Sequence, residues 1–197
     1  MLKTISFFFI ICLLPFSLSS NDNIKKSRLF IEELGQQVLK DVANSSISDL
    51  QREKNFTKLY NRAFDNTYIS RFVLGRYWSK IDKKTQEEFT KSFQTYLVKV
   101  YAPKFKGWVG EFKTTNSKFS NNMYIVNMNL VSKNISSLSL DWRLYISKNN
   151  IFKILDVNID GVSMLVTQRA EFASVIKNHP RGVLGLIEQM KKKIVSS

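Results

Sequence analysis

Leu138-Ser139-Leu140-Asp141-Trp142-Arg143-Leu144-Tyr145-Ile146 carries an apolar residue at every second position, with polar residues between. A strand sends successive side chains to opposite faces, so this series predicts a half-buried strand with one apolar face. Working outward, Ile151, Lys153, Leu155, Val157 and Ile159 nearly repeat the alternation downstream, and Tyr124, Val126, Met128 and Leu130 show it upstream. Segments 108–115, 122–132, 137–147 and 151–159 therefore read as four strands. Asn121-Asn122 and Lys148-Asn149-Asn150 separate them, and Asn tolerates the left-handed backbone of tight turns. The expectation is an antiparallel meander with one apolar face. In this phase Asp156 falls on the side of Ile154 and Asn158, opposite the apolar series. Asp160-Gly161 ends the sheet, and Gly161, free of a Cβ, permits the turn from strand to helix.

On both sides of the strands the period changes from two to between three and four. Residues 24–43 place Ile24, Phe30-Ile31, Leu34 and Val38 on one helical face. Ser48, with Gln51 three residues on, has the spacing of a capping box opening a second helix through Phe56, Leu59-Tyr60 and Ala63-Phe64. Asp65 caps a short third helix with Ile69, Phe72-Val73 and Tyr77. A fourth starts near Asp82, sets Phe89, Phe93, Leu97 and Tyr101 four apart, and stops or kinks at Pro103. After the strands, a helix from Ser163 to about Lys177 aligns Leu165, Phe172 and Ile176. A last one places Val183-Leu184, Ile187, Met190 and Ile194 together. Helices flanking one sheet in sequence give an α+β architecture, a single domain in which helices cover the apolar face of a curved sheet. Periodicity alone does not tell a filled core from a hollow one.

The first residues are of a different kind. Lys3 precedes an apolar run from Ile5 to Phe16, then Ser17-Leu18-Ser19 offers small residues at the two positions a signal peptidase reads. The run is shorter than the roughly 20 residues a membrane-spanning helix needs. Residues 1–19 are expected to be a signal peptide and residues 20–197 the exported domain. Cys12 belongs to the apolar run, preceded by Ile11 where a lipoprotein would have a small residue, so the exported part holds no thiol. Its net charge stays close to the +14 of the whole chain, since only Lys3 is lost. So basic a protein is drawn to anionic surfaces, and after export an acidic membrane surface or protein is the relevant one. Lys104 with Lys106, and Lys191, Lys192 and Lys193, are candidate docking patches.

The inventory for catalysis is poor. His179 is alone, in an Asn-His-Pro-Arg turn, and reads as a surface or capping residue. One His and no Cys give no metal site. Asp156 and Asp160 are the nearest approach to a carboxylate pair, and Gly107 and Gly110 lack a phosphate-loop pattern. Lysines interleave with aromatics from Tyr96 to Trp108, as on a nucleic-acid surface. Yet Phe89, Phe93 and Tyr101 share one apolar stripe and are explained by burial. The expectations are no enzyme, no cofactor and no nucleic acid.

Two segments carry a family likeness. Arg71-Phe72-Val73-Leu74-Gly75-Arg76-Tyr77-Trp78, followed by Thr85-Gln86 and Phe89, resembles the N-terminal signature of the MlaC phospholipid-transport family, also known as toluene-tolerance auxiliary proteins. Asp141-Trp142-Arg143-Leu144, then Phe152 to Met164, resembles its C-terminal signature, with Phe152 where the family often has Trp. The likeness runs over about residues 28–194. It implies a periplasmic monomer holding a phospholipid as cargo, tails in an apolar pocket, and contacting membrane surfaces transiently. It further implies passage of lipid between an outer-membrane lipoprotein–porin complex and an inner-membrane ABC transporter with a hexameric ring subunit, maintaining outer-membrane asymmetry. A hopanoid or other lipid carrier of the same fold, or an envelope adaptor that carries nothing, is the alternative. The residues expected to line the pocket are Phe72, Val73, Tyr77, Phe93, Leu97, Tyr101, Trp142, Leu144, Leu165 and Phe172.

Overall fold

The computed structural model describes residues 18–132 and 135–196. The expected signal peptide lies almost wholly outside them. Helix α1 spans Leu18–Gln37 and continues as one π-helical turn, Val38–Val42. It is followed by α2, Asp49–Ala63, and α3, Asn66–Leu74, which passes into a 3-10 turn over Gly75–Lys80 holding Tyr77. Helix α4, Lys83–Tyr101, ends in a 3-10 turn, Ala102–Phe105, whose Pro103 cannot donate to a continuing helix. The strands are β1, Gly110–Ser120; β2, Met123–Ser132; β3, Ile135–Ile146; β4, Phe152–Ile159; and a two-residue β5, Val162–Ser163, beyond the four expected. Helices α5, Met164–Asn178, and α6, Gly182–Ser196, complete the described chain.

Helix starts follow local chemistry. Ser48 Oγ accepts from the Gln51 amide, Asp65 from Tyr68, Asp82 from Thr85 and Ser163 from Val166. Each satisfies a first-turn N–H that has no partner inside its helix. The expected capping box at Ser48 is completed on one side only, because the Gln51 side chain donates forward to Asn55, at 2.8 Å.

The five strands are antiparallel in the order β1-β2-β3-β4-β5 and the sheet does not close. Asn121 and Asn122 take φ of 50° and 60° in the β1–β2 turn, and Asp160 and Gly161 take 48° and 83° in the β4–β5 turn. These left-handed pairs match the twist of the strands they join.

One phase expectation is corrected. Leu144 pairs with Ile154 and Ile146 with Phe152, whereas Arg143 pairs with Asp156 and Trp142 with Val157. Leu155 is thus an extra residue, a bulge that shifts the alternation by one. The apolar face of β4 consists of Phe152, Ile154, Val157 and Ile159. Ile151 is exposed in the turn, and Lys153 lies on the other face, donating to the carbonyls of Asn61 and Arg62. Asp156 therefore shares a face with Asn158 but not with Ile154.

Two apolar clusters result. Between helices, Phe172 of α5 sets its ring edge-on to Phe89 and Phe93 of α4, at 5.9 and 5.1 Å, with Val73, Leu186, Ile187 and Met190 around them. Leu184, expected on the apolar side of α6, is 42% exposed. Between α1, α2 and the sheet lie Ile31, Leu34, Leu59, Val126, Leu144 and Ile154.

Candidate functional site

The apolar layer between helices and sheet is filled at one end and hollow at the other. At the filled end Phe152 stands 6.0 Å from Phe30 and 5.4 Å from Tyr124, and Tyr124 is 4.8 Å from Phe119. These four rings pack against one another where β2 begins. Toward the end of β2 the layers separate around a cavity of about 500 Å³, a size ordinary for a ligand pocket.

Its sheet wall is made of Met128, Leu130, Leu138, Leu140, Trp142, Leu155, Val157 and Ile159. The opposite wall comes from Ile31, Leu34 and Gly35 of α1 and from Phe56, Leu59, Tyr60 and Phe64 of α2. Gly35 lets α1 approach β1, since a Cβ there would lie 3.1 Å from the Phe112 ring. Phe93, Tyr96, Leu97 and Tyr101 of α4 form one lip; Met164, Leu165, Thr167, Gln168 and Glu171 of α5 form the other. The two helices touch through Phe172, whose ring meets those of Phe89 and Phe93.

Few polar atoms reach this wall. Burial pushes the Tyr60 hydroxyl far up from its ordinary value, so it remains a neutral phenol. Tyr101 is raised too, first by burial, then by its neighbours Tyr96 and Glu171. Asp156 is occupied: Oδ1 accepts from the amides of Val157 and Leu165, and Oδ2 from Ser163 Oγ at 2.6 Å. Asp160 accepts from the Ser139 amide. His179 ends α5, its Nδ1 accepting from the Arg181 amide at 3.2 Å and its ring lying on Gly185. The three side chains weighed for chemistry thus each hold backbone. Among the described residues no group of three or more His, Cys, Asp or Glu is placed to hold a metal ion, and no helix is long and apolar enough to cross a membrane.

Of the residues expected around a pocket, Phe93, Leu97, Tyr101, Trp142 and Leu165 line the cavity. The other five are placed elsewhere. Val73, Leu144 and Phe172 are buried in filled core. Phe72 packs at the edge of the helical cluster under the Arg169 guanidinium, 5.3 Å from its ring centre. Tyr77 packs on the same cluster, its hydroxyl accepting from Arg76. The large contribution of α1 and α2 was not expected, although their apolar stripes are plain in the sequence.

The lysine patches are partly tied down. Lys106 pairs with Asp49 at 3.0 Å, holding that carboxyl below its usual range, and Lys191 pairs with Glu88 at 2.6 Å. Lys104 sits over the Tyr101 ring and Lys193 over that of Tyr96, at 5.4 and 5.9 Å. Lys192 is exposed.

These features define an α+β domain built around an apolar cavity, an architecture suited to binding. The family model described as MlaC protein matches residues 32–192, and the chain belongs to the MlaC family. A search of curated protein sequences finds no match. Among solved structures the chain is similar to the phospholipid-binding protein of Ralstonia solanacearum, determined in complex with a phospholipid. That match has a TM-score of 0.75 at 18% identity, covering 86% of this chain and 97% of the other.

Proposed function

We propose that this protein is a periplasmic phospholipid carrier, exported by a signal peptide over residues 1–19 and active as the monomeric domain 20–197. In this reading it takes lipid between an outer-membrane lipoprotein–porin complex and an inner-membrane ABC transporter with a hexameric ring subunit. The observation that carries the proposal is the cavity: apolar on both walls, with Thr167, Gln168 and Glu171 of α5 among the few polar residues that line it. Each methylene withdrawn from water contributes about 0.8 kcal/mol. A carrier of acyl chains therefore needs a continuous apolar wall and no reactive group. The phospholipid complex of the similar Ralstonia protein and the family membership support the same reading.

Native mass spectrometry of the protein, purified from a bacterial envelope with its leader intact in the gene, tests it. The expected result is a mature chain beginning at or near Ser20 with one phospholipid bound. A bound hopanoid would move the assignment to polycyclic lipids. A chain that arrives empty and takes up no lipid from vesicles would leave an envelope adaptor as the function.

A further inference from the structure

The chain has 30 lysines and arginines against 16 acids, yet the charged residues that line the cavity are both carboxylates, Asp156 and Glu171. Asp156 is buried and fully engaged. Glu171 is exposed on the α5 lip and accepts one hydrogen bond from Gln168 at 3.0 Å through Oε2, and among the described residues no salt bridge pairs it with a cation. On the α4 side, Lys104 and Lys193 are held over the rings of Tyr101 and Tyr96, which line the cavity although the two lysines do not. The Tyr101 ring that carries Lys104 is close enough to Glu171 to feel its charge, so a cation and an anion flank this stretch of the cavity.

We propose that this mouth discriminates between lipid head groups, with Glu171 taking the ammonium of a zwitterionic aminophospholipid whose phosphate faces Lys104. The inference rests on the carrier reading above. Acyl chains seek the apolar wall and a charged head group does not follow them, since burying an unpaired ion is costly. The head group must then stop between the two lips. A zwitterionic head matches a cation and an anion at once. An anionic glycerol head satisfies Lys104 but offers Glu171 no counter-charge.

The test is competition. Wild-type protein, Glu171→Gln and Glu171→Lys are each equilibrated with vesicles of equimolar dioleoyl phosphatidylethanolamine and phosphatidylglycerol, and the two bound lipids are counted by native mass spectrometry. Glu87→Gln, the same charge change at an exposed carboxylate that does not line the cavity, separates the general attraction of a more basic protein to anionic lipid from the head-group effect and should leave the wild-type ratio in place. The bound ethanolamine-to-glycerol ratio should fall about fivefold from wild type to Glu171→Gln, the size of a solvated charge pair in contact. It should fall again in Glu171→Lys. The same ratio in all three proteins overturns the head-group assignment and leaves the carrier standing. A wild-type protein that binds neither lipid removes the carrier reading itself.

Discussion

Arg52 is 1% exposed, with its guanidinium beneath the π turn that ends α1. Nη1 donates to the Val42 carbonyl, and Nη2 donates to those of Asn44 and Ile47. Its Nε is buried with only the Asp49 carboxylate near, at 3.8 Å, beyond hydrogen-bonding distance. A helix that ends by widening into a π turn leaves carbonyls without an amide partner. Arg52 supplies the missing donors from the next helix. Arg52→Ala should lower the unfolding free energy by about 3 kcal/mol, because each buried acceptor left without a donor costs about 1–3 kcal/mol. Arg52→Lys should cost less, since it keeps a charge but cannot reach several carbonyls at once. Urea unfolding midpoints of the two variants against the parent check this ranking. Nothing in the local sequence flags the role: Arg52 reads as one more polar residue on an amphipathic helix, and its burial is set by the fold of residues 42–47 over it.

Asp65 joins two elements by dividing the work of its two oxygens. Oδ1 caps α3 through the Tyr68 amide, at 2.9 Å, and Oδ2 accepts from the Tyr145 hydroxyl on β3. Its backbone also donates to Ile154, so the chain between α2 and α3 runs beside β4. The hydrogen bond to Asp65, assisted by burial, pushes the Tyr145 phenol up to about 12. A folded value above the ordinary value of about 10 favours the neutral form. The link is then complete below pH ~10 and is lost as pH rises toward 12. Stability measured across that window should fall more steeply for the parent than for Tyr145→Phe, which lacks the titrating group; parallel curves would remove this bond from the account. The helix caps could be read from the chain because a cap depends on residues three apart. The bulge at Leu155 could not. Ile151, Lys153, Leu155, Val157 and Ile159 alternate well in isolation, and only the pairing of Leu144 with Ile154 reveals the extra residue.

For the molecule as a whole, the sequence shows which faces are apolar but not which of them meet. Phe93, Leu97 and Tyr101 lie on the same stripe as Phe89, yet Phe89 is fully buried in the helical core while the other three border the cavity. Where two apolar layers stand apart is decided by side-chain sizes on both, and no single stripe contains that information. Charge is a global property of another kind. Exposed charges are screened beyond about 8 Å at physiological ionic strength. On the proposed function they govern encounters with membranes and partners more than affinity for a lipid at the cavity. Transfer of lipid from loaded protein to membranes bearing an acidic partner should slow as ionic strength is raised from about 0.02 to 0.5 M, while the loaded fraction of isolated protein holds constant. Fluorescent-lipid transfer assays and native mass spectrometry read the two separately, and loss of cargo with added salt would place the charges in the binding site instead.

The rings of Phe30, Phe119, Tyr124 and Phe152 at the filled end have a consequence for traffic. On the proposed function these rings would stop acyl chains that run toward them, and the cavity becomes a blind alley, from which cargo leaves by backing out through the doorway it entered. On the proposed function the tails go in first and come out last, so the same face must be turned toward donor and acceptor in succession. Such a protein works as a ferry with a single ramp. It cannot serve as a standing pipe between two membranes, because while its doorway is pressed to one quay it is closed to the other.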